Sequence, residues 1–117
     1  MAVRRVLVAE DDDDLRASLA MILRSKGFLI ETVENGALAL ESVRRRKPHL
    51  VLLDLNMPVM DGYEFLRRRD EDPDLRSLAV IAITGSENPG LGGRVVATLR
   101  KPFEVEEFLR AVVDACA

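Results

Sequence analysis

The stretch that decides the fold is LVLLDLNMPVMDG, from Leu50 to Gly62. Its four leading apolar residues, Leu50-Val51-Leu52-Leu53, read as a strand covered on both faces, and the carboxylate of Asp54 stands at its end. Open α/β sheets bind ligands just beyond the carboxyl ends of their strands, so Asp54 falls where chemistry is done. Three other apolar runs end in polar groups of matching kind. Val6-Leu7-Val8-Ala9 leads to Glu10-Asp11, Val80-Ile81-Ala82-Ile83 to Thr84, and Val95-Val96-Ala97-Thr98-Leu99 to Lys101-Pro102.

Helical patterns separate these runs. Asp13 or Asp14 can cap a helix that buries Leu15, Leu19, Ile22 and Leu23, with Gly27 in the left-handed position after it. Phe28–Val33 is a more polar strand, suited to an edge. Gly36 opens a second helix with Ala37, Leu40 and Val43 on one side, ending before Lys47-Pro48. A third starts near Tyr63, buries Phe65 and Leu66, and stops before Glu71-Asp72-Pro73-Asp74. The last places Val105, Phe108, Leu109, Val112 and Val113 on one face, with Glu104, Glu106 and Glu107 in its first turn. Strands alternating with helices imply a parallel sheet wrapped on both faces by right-handed crossovers.

Composition narrows the function. A chain of 117 residues is one domain by size, and no repeat, linker or second domain is expected in it. The net charge of −3 argues against direct nucleic-acid binding. Arg44-Arg45-Arg46-Lys47 and Arg67-Arg68-Arg69 read as solvated helix ends, where cations suit the dipole. A lone Cys116 forms no internal disulfide, and the default location is a reducing cytoplasm. No apolar stretch approaches the ~18 residues that would insert in a membrane. The N-terminus has too few apolar residues before its acidic run for a signal peptide.

An acidic pair, a lone Asp, a hydroxyl and a lysine, each after a strand and in that order, resemble the receiver domain of two-component response regulators. The resemblance covers the chain from about Arg5 to its end. It implies a flavodoxin-like, doubly wound sheet of five parallel strands in the order 2-1-3-4-5, which sets the tips of strands one and three side by side. It further implies that Asp54 accepts a phosphoryl group from a histidine kinase or a histidine phosphotransfer protein, and that an unknown output protein reads the result. In such a site Mg²⁺ is held by Asp11 directly, by Asp54, by the backbone carbonyl of Asn56, and by Glu10 through water. Glu10 stands where the family usually has Asp. Thr84 and Lys101 resemble the hydroxyl and ammonium that contact the phosphoryl oxygens. The family's Lys-Pro bond before Pro102 is typically cis. Pro58 and Gly62 look like its turn residues, and Gly85 like the small residue that leaves room for the phosphoryl group. Three clustered carboxylates without a metal should raise the pKa of at least one by mutual repulsion.

The chain also departs from that family. The segment from Thr84 to Lys101 is shorter than usual, and Gly85, Gly90, Gly92, Gly93 and Pro89 oppose a helix by roughly 1 kcal/mol per glycine and 3 for proline. The fourth helix is therefore expected to be absent or reduced to a turn. Three residues before Lys101, where an inward-turning aromatic is usual, stands Thr98.

Other readings fare worse. An EF-hand starting at Asp54 needs Gly at its sixth place and Glu at its twelfth, where the chain has Val59 and Phe65. A haloacid-dehalogenase-like phosphatase needs a second Asp two residues on, where the chain has Asn56. The expectation is thus a signalling phosphoacceptor rather than an enzyme. The alternative is a receiver-like interaction module that works without phosphorylation.

Overall fold

The elements alternate strictly in a computed structural model that describes residues 3–117. They are β1 (Arg5–Ala9), α1 (Asp13–Ser25), β2 (Leu29–Val33), α2 (Gly36–Arg45), β3 (Leu50–Asp54), α3 (Gly62–Glu71), β4 (Val80–Thr84), β5 (Ala97–Arg100) and α4 (Val105–Cys116). All strand pairs are parallel, in the order β2-β1-β3-β4-β5, as the resemblance implied.

The sheet splits the core in two because successive side chains leave a strand on opposite faces. Leu7, Val51, Leu53, Val80 and Ala82 meet Leu40 and Val43 of α2 and Phe65 and Leu66 of α3 on one side. Val6, Val8, Leu52, Ile81 and Ile83 meet Leu19 and Leu23 of α1 and Phe108 and Val112 of α4 on the other. β1, β3 and β4 are thus covered on both faces, which is why their sequences are nearly unbroken apolar runs. Each fully buried Leu, Ile or Phe contributes roughly 1.5–3 kcal/mol. β2 is the polar edge strand expected, although it begins at Leu29 rather than Phe28.

The expected fourth helix is a single 3₁₀ turn, Gly92–Arg94. Leu91, just before it, is buried in the same core cluster as Val80 and Ala82. β5 starts at Ala97, two residues later than expected; Val95 packs on the core, Val96 is exposed, and Val96 N donates to Val80 O at 2.8 Å.

Three expectations need correction. The cap of α1 is Asp12, not Asp13 or Asp14; its side chain accepts from Leu15 N at 3.0 Å. On α4, Phe108 and Val112 are buried but Val105 and Val113 are exposed, because only a narrow stripe of that helix reaches the sheet. Arg69 is not solvated. Only 5% exposed, it donates to Leu78 O at 3.0 Å and Arg94 O at 2.6 Å and pairs with Asp70, which also holds Arg94. Burial pushes the Asp70 carboxyl up, but the two guanidiniums outweigh it and hold it below its usual range.

Candidate active site

Backbone hydrogen bonds at the strand tips bring the polar residues together. At the end of β1, Glu10 N donates to Val33 O at 3.1 Å, so the strand pairing continues one residue past Ala9. The Glu10 side chain then turns inward and is fully buried. Its Oε2 accepts from Asp12 N at 3.1 Å. Asp11 follows it and is exposed. At the end of β3, Asp54 is 3% exposed, and its Oδ1 accepts from Asn56 N at 3.1 Å. Carboxylate oxygens of Glu10, Asp11 and Asp54 lie within 4.8 Å of one another.

The opposite wall comes from β4 and β5. Lys101 N donates to Thr84 O at 2.7 Å, which sets these two residues side by side. Lys101 Nζ reaches 3.2 Å from Asp54 Oδ2 and 3.1 Å from Glu10 Oε1. The second contact is ionic only, for Glu10 Oε1 is buried without a hydrogen-bond partner among the described residues. The Lys101-Pro102 bond is cis, as the resemblance implied. Thr84 is buried, and its Oγ1 accepts from Ser86 N at 3.0 Å. That leaves the hydroxyl proton available to a ligand.

Glu10 carries the raised carboxylate pKa, pushed up to about 8. Burial is the largest cause, ahead of the neighbouring Asp54, whereas repulsion alone was expected; the Asp12 N–H and Lys101 pull the other way. Burial works to lower the Lys101 ammonium, but Glu10 and Asp54 prevail and hold it above its usual value. A buried acceptor oxygen without a donor, beside two further carboxylates, fits a hard divalent cation with oxygen ligands such as Mg²⁺.

The loop after Asp54 is held tightly. Gly62 N donates to Leu55 O at 3.1 Å, and a Cβ on Gly62 would lie 2.7 Å from Asp54 O. Gly36 N donates to Met60 O at 2.8 Å, and a Cβ there would lie 2.4 Å from the same oxygen. Gly36 therefore does more than open α2: it staples the helix to the loop. Met60 N closes back on Pro58 O at 2.7 Å, with Val59 between them at φ +68° and 85% exposed. By contrast, a Cβ on Gly85 would meet nothing within 4 Å, so the space beside Thr84 is open.

The model of the response regulator receiver domain family matches residues 6–113. The chain belongs to that family. This receiver domain is 34% identical over 113 residues to the response regulator receiver protein CpdR of Brucella abortus, covering 94% of each chain. It is 38% identical over 111 residues to the transcriptional regulatory protein PrrA of Mycobacterium tuberculosis, of which it spans 48%. The domain thus matches nearly the whole of one relative and about half of the other. Among solved structures it is similar to the receiver domain of sensor histidine kinase PA1611 from Pseudomonas aeruginosa PAO1. That protein was solved with a magnesium ion coordinated in its active-site cleft. The two share 28% identity at a TM-score of 0.89, over 98% of each chain. Among the described residues, no helix of this domain is long and apolar enough to cross a membrane.

Proposed function

We propose that Asp54 is the phosphoacceptor of this receiver, taking its phosphoryl group from a phosphohistidine on a kinase or phosphotransfer protein. The observation that carries the reading is the placement of Lys101 Nζ, 3.2 Å from Asp54 Oδ2, opposite the cluster of Glu10, Asp11 and Asp54. Asp11, Asp54 and the carbonyl of Asn56 would hold Mg²⁺ directly, and Glu10 through water. When bound, the ion neutralises charge on the acceptor and on the incoming phosphoryl oxygens.

Each residue then has a task. Asn56 N fixes one oxygen of Asp54 at 3.1 Å and leaves the other, beside Lys101, to attack. A P–O bond forms to Asp54 while the P–N bond breaks. The leaving imidazole nitrogen keeps the electron pair and takes a proton. The Lys101 ammonium and the Thr84 hydroxyl then face phosphoryl oxygens, so charge is met by donors already in place. Gly85 leaves the room for them. Water entering past Asn56 and Ser86 attacks phosphorus in line and returns Asp54 and inorganic phosphate. The phosphorylated state then biases a protein-binding surface between two conformations.

Incubation with acetyl phosphate and Mg²⁺ tests this directly. One phosphoryl mass should appear, vanish with a chelator and be absent in Asp54→Ala. A stable adduct elsewhere, or equal labelling without metal, overturns the reading. Asp11→Ala should weaken Mg²⁺ binding more than Glu10→Ala does, and calorimetry giving the reverse order rejects the ligand assignment.

A second reading, an interaction module that works without phosphorylation, has its support in Thr98. That residue is exposed on β5 and carries no ring to follow Thr84 inward. A partner that binds wild type and Asp54→Ala alike, with and without acetyl phosphate, would favour it.

A further inference from the structure

We infer that Arg16 is the positioning residue of the metal pocket, acting on Asp11 through the peptide bond that joins it to Glu10. The inference rests on the proposed Mg²⁺ site.

Arg16 lies in the first turns of α1 with its side chain 18% exposed, close to the acidic cluster but ligating nothing. Its guanidinium reaches back across the helix start. Nη1 donates to the carbonyl oxygen of Glu10 at 2.9 Å, and Nη2 to Asp13 Oδ1 at 2.6 Å. Glu10 is thereby held at three points: its N–H on Val33 O, its Oε2 on Asp12 N, and its carbonyl on Arg16.

The carbonyl contact governs the neighbour. The C=O of Glu10 and the N–H of Asp11 share one rigid plane, so fixing the oxygen fixes the direction in which the chain enters Asp11. Asp11 needs that help. Among the described residues no donor bonds its carboxylate, and the residue is exposed, so its aim at the pocket depends on its backbone. Glu10 and Asp54 are buried and each accepts a backbone N–H, whereas Asp11 has neither support. Arg16 also holds Asp13, keeping an 83% exposed carboxylate turned along the helix.

Positioning and plain electrostatics have opposite signs here, which makes the inference sharp. A guanidinium beside a cation site repels the cation, so if charge alone mattered, removing Arg16 would tighten Mg²⁺ binding. If Arg16 orients Asp11, removing it loosens binding. Groups that orient metal ligands from behind typically govern about ten- to a hundredfold in affinity.

The experiment is Mg²⁺ calorimetry on the whole chain at low and high salt. Arg16→Ala should bind about tenfold more weakly than wild type, with a loss that persists in high salt. Arg16→Lys keeps the charge but replaces a fork by a point donor that cannot span both acceptors, and it should lose several-fold. Asp13→Asn, which cuts only the other arm, should stay within about twofold of wild type. Acetyl phosphate labelling of Arg16→Ala should recover towards the wild-type rate at saturating Mg²⁺, which a general loss of fold would not allow. Equal or tighter Mg²⁺ binding by Arg16→Ala or Arg16→Lys overturns the inference while leaving the proposed function standing. If the wild type itself binds no Mg²⁺, both fall.

Discussion

The Tyr63 hydroxyl donates to Pro89 O at 3.0 Å, tying the start of α3 to the glycine-rich loop that replaces a helix. One end of that loop begins at Thr84, where Ser86 N bonds Thr84 Oγ1; the other ends in the Arg94–Asp70 pair. Thr98, exposed on β5, offers no aromatic to report on Thr84. The loop has three glycines between Gly90 and Gly93, two of them at positive φ, and costs little to reshape.

Binding of beryllofluoride and Mg²⁺, a mimic of the phosphoryl group, should therefore reshape residues 84–98 and disturb the Tyr63–Pro89 bond. The chain has one tyrosine and no tryptophan, so its tyrosine fluorescence reports on the surroundings of Tyr63. The expected outcome is a fluorescence change, lost in Asp54→Ala, with amide-exchange changes centred on the same loop. An unchanged loop with a responding α4 would reject this route.

Two glycines beside the site should behave oppositely. Gly62→Ala drives a Cβ to 2.7 Å from Asp54 O and 2.8 Å from Leu55 Cα, both backbone atoms that cannot swing aside. It should cost about 1–3 kcal/mol in denaturant unfolding and impair labelling. Gly85→Ala meets nothing within 4 Å and should unfold like wild type, yet label more slowly because its methyl enters the space for the phosphoryl group. Normal labelling of Gly85→Ala would show that the space is not used.

The metal-free protein should lose stability as pH rises from about 4.5 to about 8. The folded state holds Glu10 protonated at pH values where the unfolded chain has released that proton. Its contribution is thus complete below the unfolded value and gone above the folded one. Glu10→Gln, which cannot ionise, should flatten that part of the profile and melt higher than wild type at pH 8 without metal. A profile unchanged by the substitution would locate the titration elsewhere.

Arg69→Met should be more damaging than Arg67→Met or Arg68→Met. The first strands the carbonyls of Leu78 and Arg94 and takes one of two cations from Asp70, whereas the others remove exposed contacts to Glu64 and Glu71. Unsatisfied buried groups of this kind cost about 1–3 kcal/mol each, and exposed pairs less than about 1. Equal melting of the three variants would refute the role given to Arg69.

Val59 is β-branched and sits at φ +68°. That conformation costs an L-residue about 1–2 kcal/mol, part of which glycine returns as unfolded-state entropy. Val59→Gly should gain up to about 1 kcal/mol in unfolding experiments. A loss of stability would mean that the side chain makes contacts worth more than the strain.

The fold and most of the site were legible because both are written at strand ends. An apolar run followed by Glu10-Asp11, Asp54 or Thr84 states the strand and its tip together. Missing was what depends on which way a long side chain turns. Arg67, Arg68 and Arg69 look alike as letters, yet Arg69 lies three and four residues after Leu66 and Phe65, on their buried face, a spacing that could have set it apart. Arg16 left no such trace, since its partner is a backbone carbonyl placed by the turn after β1. The depth of Glu10 was hidden for a similar reason, because an acidic run reads as solvated until the pairing to Val33 carries its first member inward.

The staple between Gly36 and Met60 separates what can vary in this protein from what cannot. Any side chain at position 36 collides with the loop that follows Asp54, so sequence change there disturbs the site. Residues 85–93 lie mostly at the surface, and most side chains there have no packing partners to lose. On the proposed function, a lineage descending from this chain can acquire a new listener by editing that loop, and keep the old reaction by leaving the stapled one untouched.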